Sequence, residues 1–415
     1  MSPPDRGGLA DRLERLAQPS IECAGPSRLI TSPTRQPGDH VHDAKIVDLF
    51  AGPGGLDVAA RQLGLPAVGI EWDEDACATR RAAQLPTRQG DVRDFGPADF
   101  PKATVLAGGP PCQTYTVAGA GAGRRALDKV RALAKRMAIR DATVAADLAD
   151  LANLANRNDP RTGLVLEPLR WALDAIDAGT PYETIVLEQV RAALPVWQAV
   201  GEVLEGEKYS VACGVLHTEE FGVPQTRRRA ILIARLNGEA SLPRPTHRPY
   251  QKGRARDEGA PHLLPWVTMG EALDRPGPFV VISNYGTGGN PKARGRRTSD
   301  EPAATVTGKI FRNRVVTPTD VELARFTPAE AGQLQTFPVD HQWTGRDIGQ
   351  QIGNAIPPRL GIHVLATALD IGGEPLTKAL DSLAKVSSTA HPHGAPVEPV
   401  LTVKGATADK ALTTT

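Results

Sequence analysis

The most constraining stretch of this 415-residue chain is Lys45-Ile-Val-Asp-Leu-Phe50 followed by Ala51-Gly-Pro-Gly-Gly55. A short β-type run enters a glycine-rich turn and leaves in a helical pattern that lasts to Leu63. Glycines at such a turn let the backbone bend tightly and approach a ligand closely. A second strand-like run, Ala67-Val-Gly-Ile-Glu71, ends on an acid. A helix is expected over 74–84, and further strands over 104–107, 184–187 and 230–234. This alternation predicts an α/β fold, a Rossmann-like, doubly wound and mostly parallel sheet.

The turn departs from the G-x-G-x-x-G dinucleotide fingerprint, and no Lys-Ser/Thr pair follows it, which removes a P-loop. Glu71 stands where a carboxylate meets ribose hydroxyls, and Asp91 of Gly90-Asp-Val92 can accept from an adenine amine. A nucleoside ligand without a phosphate cradle fits, and S-adenosyl-L-methionine is the expected cofactor.

The four cysteines, Cys23, Cys77, Cys112 and Cys213, form no CxxC pair and no metal-ligand spacing. That predicts a reducing, cytoplasmic setting without disulfides or a metal. Only Cys112 lies in a polar loop, Gly108-Gly-Pro-Pro-Cys-Gln-Thr-Tyr-Thr116, just after a buried strand. Strand carboxyl ends carry the chemistry of doubly wound sheets. Glu188 follows the apolar strand 184–187, where burial favours the protonated acid. In Gln225-Thr-Arg-Arg-Arg229, alternate residues of an extended chain share a face, so Gln225, Arg227 and Arg229 are expected to point together. An arginine fork there can clamp a carboxylate, a phosphate or a base carbonyl.

Residues 1–43 and 372–415 lack aromatic side chains and read as a disordered arm and tail. The expected catalytic domain runs over 44–236, with a helical insertion at about 119–160 that breaks at Asp141, and resumes over 319–371. The insertion reads either as a packed helical element or, through its basic first half, as a nucleic-acid contact. A second, smaller and irregular domain is expected over 237–318. The overall formal charge is only +1, but it is a cancellation. Residues 224–318 hold 17 Lys and Arg against 7 Asp and Glu, and the rest of the chain holds 31 against 40. Arg254, Arg256, Arg294, Arg296 and Arg297 lie there among glycines and prolines, as loops that follow a phosphate backbone do. No run approaches the ~20 apolar residues of a membrane span.

Taken in order, these segments resemble the DNA cytosine-5 methyltransferases of the bacterial and phage type. The carriers are Asp48–Leu56, Glu71-Trp-Asp73, Gly90-Asp-Val92, Gly109-Pro-Pro-Cys-Gln113, Glu188-Gln-Val190, Gln225–Arg229, Phe326–Ala331 with Leu334–Pro338, and Gly353–Pro358. The resemblance implies a class I S-adenosylmethionine-dependent methyltransferase fold with a target-recognition domain. It implies attack of Cys112 on carbon 6 of a flipped cytosine, with Glu188 on the ring nitrogen and amine. Arg229 would meet the base carbonyl, and Arg227 would support the nucleophile loop. The cofactor would lie against Phe50, Gly52, Pro53, Gly54, Gly55, Leu56, Glu71, Trp72, Asp91, Val92, Pro111 and Asn354. Gln113 and Thr116 join the five arginines as implied DNA contacts. Double-stranded DNA is the implied partner of a monomer, alongside a restriction endonuclease acting on the same site without direct contact. The family's usual Glu-Asn-Val is here Glu188-Gln189-Val190, and Tyr115-Thr116 replaces a common Phe-Ser. Two alternatives are a transfer-RNA cytosine-5 methyltransferase of the same fold and an inactive DNA-binding homologue.

Overall fold

The computed structural model describes residues 45–111, 122–148, 160–284 and 294–388. The central sheet has seven strands: β1 (Ile46–Leu49), β2 (Ala67–Glu71), β3 (Thr87–Gln89), β4 (Val105–Gly108), β5 (Thr184–Val190), β6 (Ser210–His217) and β8 (Arg228–Arg235). Their order is β3-β2-β1-β4-β5-β8-β6. β3, β2, β1, β4 and β5 run parallel, and β8 runs antiparallel to both β5 and β6. The winding direction reverses between β1 and β4, which opens a crevice at their carboxyl ends.

Strand periodicity explains why helices cover both faces. Val47, Leu49, Leu106, Ile185 and Leu187 enter one core, with Trp171 and Trp197 from α4 (Glu167–Asp177) and α5 (Leu194–Gly206). Ile46, Val105, Ala107, Val186, Ile231 and Ile233 enter the other. That second core takes Leu56 and Val58 from α1 (Gly55–Gln62) and Leu360, Ile362 and Leu365 from α9 (Pro358–Ala368). A sheet buried on both faces reads as continuous apolar runs rather than alternation. α2 (Glu74–Ala82) joins β2 to β3 and is capped by the Asp73 carboxylate, which accepts from the Ala76 amide at 2.8 Å.

The basic helix α3 (Ala122–Ala138) ends before Asp141, and helical backbone resumes at 144, as the seam predicts. Val130, Leu133, Ala134 and Met137 are buried in the first core. Lys135 pairs with Glu202, Arg136 with Asp141 and Asp147, and Arg140 with Asp177 and Glu207. Within the basic half, Lys135 and Arg136 are therefore engaged with acids of this chain.

The segment after 236 is more regular than its composition predicts. Strands β9 (Val280–Ile282), β10 (Arg296–Thr298), β12 (Arg314–Val316) and β13 (Glu322–Leu323) form a small antiparallel sheet, ordered β10-β9-β12-β13. β13 lies beyond the expected boundary at 318. The underlying core joins Leu273, Phe279, Val281 and Val315 to Met269 of α6 (Met269–Ala272). It also takes Leu334 of α7 (Pro328–Leu334) and Ile352 of α8 (Ile348–Asn354). A two-stranded parallel pair, β7 (Gln225–Thr226) with β11 (Ala303–Ala304), ties this part to the start of β8.

The expected disordered tail is corrected in its first part. Gly373–Ser388 forms α10, and Ala379 and Leu383 are buried against α9 in the second core. Leu376, Ala379, Leu380 and Leu383 keep a 3-4 spacing, which outweighs the absence of aromatics. The expected arm at 1–43 lies outside the described residues. No described helix is long and apolar enough to cross a membrane.

Candidate active site

The turn after β1 is held from three sides. Phe50, Gly52 and Gly54 all take positive φ (60°, 55° and 98°), which favours glycine at the latter two. A Cβ on Gly54 would lie 2.2 Å from the Leu85 side chain, and one on Gly55 would lie 2.1 Å from the Ile356 carbonyl. A Cβ on Gly52 would meet nothing within 4 Å, so the turn faces open space there. Pro53 and Leu56 are buried, and Phe50 is half-buried.

Glu71 fixes the rim. Its Oε2 accepts the Gly52 amide at 2.7 Å, and its Oε1 accepts the Trp72 and Asp73 amides, each at 2.9 Å. Burial raises its pKa, and those amides with nearby Arg80 partly offset the effect. Trp72 is 58% exposed beside it. Beneath the turn lies a group the sequence reading missed. Arg80, fully buried, donates from Nη1 and Nη2 to Asp57 at 2.7 and 2.9 Å. Asp48 sits against them, and burial together with the Asp57 carboxylate raises its pKa well above the usual range. The signal was present: Ala76, Cys77 and Arg80 share the buried face of α2.

Asp91 does not present a free carboxylate. It accepts from the Arg93 amide, Nε and Nη2, and the Arg93 side chain holds its pKa low. Val92 is buried beside it, its carbonyl accepting from Trp171 Nε1 at 3.3 Å. Asn354 is exposed and accepts from Gln350 at 2.6 Å.

The catalytic end gathers at β4, β5 and β8. Arg229 Nε lies 2.6 Å from Glu188 Oε1. A Cβ on Gly109 would lie 3.5 Å from the other Glu188 oxygen, so this carboxylate borders the Gly109-Pro110-Pro111 loop. Pro111 is half-buried. Gln189, in place of the usual Asn, braces the loop: its Nε2 donates to the Pro110 carbonyl while its Oε1 accepts the Val190 amide at 2.6 Å. Cys112, Gln113 and Thr116 lie outside the described residues. The two described cysteines, Cys77 and Cys213, have thiols pushed up to about 11 by burial and are poor nucleophiles.

Arg227 lies deeper than Arg229, close enough to feel the charges of Arg229 and Glu188. It is 1% exposed and donates to the carbonyls of Val306 (3.1 Å), Gly353 (2.9 Å) and Ala355 (3.1 Å). It clamps the 353–356 segment, whose Ile356 carbonyl rests on Gly55. Gln225 is buried likewise, on Leu334 and Gln335.

A cleft of about 790 Å³ adjoins these strand ends. Its walls include Arg191, Glu219, Arg228, Arg229, Tyr250 and Arg297. Of the five expected DNA-contacting arginines, Arg297 alone is part of this wall, lying over the Tyr250 ring at 4.3 Å. Arg254 pairs with Glu258, Arg256 with Glu271 and Arg296 with Asp320, and Arg294 is half-buried. No group of three or more potential metal-ligating side chains occurs among the described residues.

Fold and site together define a doubly wound α/β protein with an acid-rimmed glycine turn and a basic cleft. The C-5 cytosine-specific DNA methylase family model matches residues 44–133 and 184–261. Type II methyltransferase M.AquIA of Picosynechococcus sp. is 28% identical over 56% of this chain and 88% of its own length. Type II methyltransferase M1.HphI of Haemophilus parahaemolyticus is 27% identical over 78% of this chain and 86% of its own. Among solved structures, a Spodoptera frugiperda DNMT2 mutant superposes with a TM-score of 0.51 at 14% identity, over 78% of this chain and 99% of that one. The family match and the relatives' names support a DNA methyltransferase that acts at carbon 5 of cytosine.

Proposed function

We propose that the chain moves a methyl group from S-adenosyl-L-methionine to a flipped-out cytosine in double-stranded DNA through a Cys112 adduct. The observation that carries this is the Glu188–Arg229 pair set against the loop that leads into Cys112. The residues around the turn suit the cofactor: Gly52 faces open space, Glu71 presents a carboxylate at its edge, and Phe50 and Trp72 flank it. Pro53, Gly54, Gly55, Leu56, Val92 and Pro111 would shape that pocket, Asp91, held by Arg93, would take the adenine amine on its carboxylate, and Asn354 would close it. When bound, the cofactor supplies an electrophilic methyl group.

Unstacking the base costs a few kcal/mol, offset by contacts in the cleft. The Cys112 thiolate adds to carbon 6. Glu188 holds ring nitrogen 3 and the exocyclic amine, so charge developing on the ring is met as attack proceeds. Arg229 orients Glu188 and meets the base carbonyl, and Arg227 is a positioning residue. Carbon 5 gains the methyl, with S-adenosylhomocysteine as the leaving group, then gives its proton to solvent water as Cys112 leaves as the thiolate, restoring the aromatic ring. Covalent attack splits one difficult step into easier ones. The Type II names of the relatives support a restriction endonuclease sharing the site. We assign residues 237–318 with β13 to target recognition, and the monomer as the working unit.

Cys112→Ala abolishes methyl transfer while cofactor and DNA binding persist. Duplexes carrying 5-fluorocytosine trap a covalent complex with the unaltered enzyme in the presence of S-adenosylmethionine. Turnover by the variant, or an active enzyme that leaves no adduct, refutes the mechanism. Methyl transfer to RNA alone moves the substrate to transfer RNA.

A further inference from the structure

One acid in the cleft has no role in that chemistry. Glu219 lies in the 3₁₀ turn Thr218–Phe221, between β6 and β7, and is 4% exposed. It forms part of the same wall as Arg191, Arg228, Arg229 and Arg297. Its Oε2 has no hydrogen-bond partner among the described residues. Its Oε1 lies 3.9 Å from His217 Nδ1, too far for a hydrogen bond. A buried carboxylate oxygen without a donor costs free energy, so such an atom in a substrate cleft marks a contact that the substrate completes.

The chemistry of DNA limits what that contact is. The arginines around Glu219 suit phosphate oxygens, but phosphate and deoxyribose offer an acceptor no hydrogen-bond donor within a strand. The strong donors of duplex DNA are on the bases, chiefly the exocyclic amines of cytosine, adenine and guanine. We propose that Glu219 is a specificity-determining residue that accepts a hydrogen bond from the exocyclic amine of a base near the target, distinct from the cytosine held by Glu188. This rests on the DNA methyltransferase reading above. Burial pushes the Glu219 carboxyl up to about 7, partly offset by its own backbone amide, by Arg228 and by the Arg227 amide, so an amine partner on Oε2 also serves to keep the carboxylate ionised.

The test is methylation-resolved sequencing of DNA from a host expressing the full chain, its Glu219→Leu variant or its Glu219→Gln variant. Leucine removes the acceptor, and glutamine can present either a carbonyl or an amine. Both are expected to relax the methylated motif at one position. Preference for the amine-bearing base there falls on the order of 10-fold or more. Thermal unfolding of the purified variants checks that they fold. An unchanged motif in both variants overturns the proposal. So does methylation that falls at every site alike, the pattern expected of a structural acid or of a protonated Glu219 donating to a phosphate. A wild-type chain that marks no cytosine overturns the underlying reading as well.

Discussion

The cofactor turn and the basic cleft lie on the same edge of one sheet and handle charge in opposite ways. Around the turn the carboxylates are already engaged. Glu71 takes three backbone amides, Asp57 takes Arg80 through both oxygens, and Asp91 takes Arg93 through both oxygens. On the cleft wall, Glu219 has a buried oxygen without a hydrogen-bond partner among the described residues, near four arginines. Under the proposed function, a turn whose carboxylates are already held suits one ligand of fixed shape, and a cleft with an acid left open suits a polymer whose bases vary.

The largest expected effect comes from the turn's foundation. Arg80→Met leaves Asp57 and Asp48 buried without their counter-charge. Breaking one side of a buried pair costs about 3–5 kcal/mol. Denaturant unfolding of the variant should show a loss of that size, and Arg80→Met with Asp57→Asn should recover much of it. A loss below about 1 kcal/mol would mean that the turn rests on packing rather than on this pair.

Glu71→Gln tests the turn's rim. Hydrogen bonds to a charged acceptor contribute about 1.5–3 kcal/mol each, so cofactor affinity should fall roughly 10-fold to 100-fold by calorimetry. DNA affinity measured without cofactor should stay within about twofold, which is under ~0.5 kcal/mol. An equal fall in both would erase the contrast between the two regions.

Much of this was legible in the chain because the signals are local. The strand, glycine turn and helix at 45–62, the acid ending β2, and the acid ending the apolar part of β5 are each read within a few residues. The break at Asp141 followed from one charged residue on an apolar seam. The misses are long-range. The partners of Arg227 at Val306, Gly353 and Ala355 lie 79 to 128 residues away, so no local pattern names them. Arg228, counted as the residue between two important arginines, reaches the cleft wall. Arg256 and Arg296 read as phosphate contacts in the sequence because their acids, Glu271 and Asp320, come from separate segments.

Glu219 gives the cleft its own stability signature. Its carboxyl is raised from 4.5 to about 7, chiefly by burial. Within that window the folded state binds more protons than the unfolded chain, so this acid's contribution falls as pH rises from about 4.5 through 7. His217 at the end of β6, Glu220 on its own turn, Arg228 and Arg229 on β8, Arg191 after β5, Arg297 on β10 and Tyr250 in the loop before the small sheet are the charged or titratable groups around it. Glu219→Leu removes the linkage. Its stability relative to wild type should be higher at pH 8 than at pH 5 by on the order of 1–2 kcal/mol, read from paired unfolding curves. A difference independent of pH would show that Glu219 is ionised throughout. The cleft would then be as charge-balanced as the turn.

Arg228→Ala sharpens the comparison at its finest scale. Arg228 is exposed and belongs to the cleft wall rather than to the Glu188 pair. If it meets one phosphate, its removal lowers the slope of log affinity against log salt by about 0.9. Between 50 and 200 mM salt that amounts to roughly a threefold to fourfold smaller loss of DNA affinity than wild type shows. Cofactor affinity should hardly respond to salt in either protein, because the carboxylates of the turn are buried or already engaged and Debye screening acts chiefly on exposed charges. A salt slope unchanged by Arg228→Ala would place the phosphate path elsewhere on the basic surface. The cleft's arginines would then act on the flipped base and its neighbours, not on the backbone that carries them.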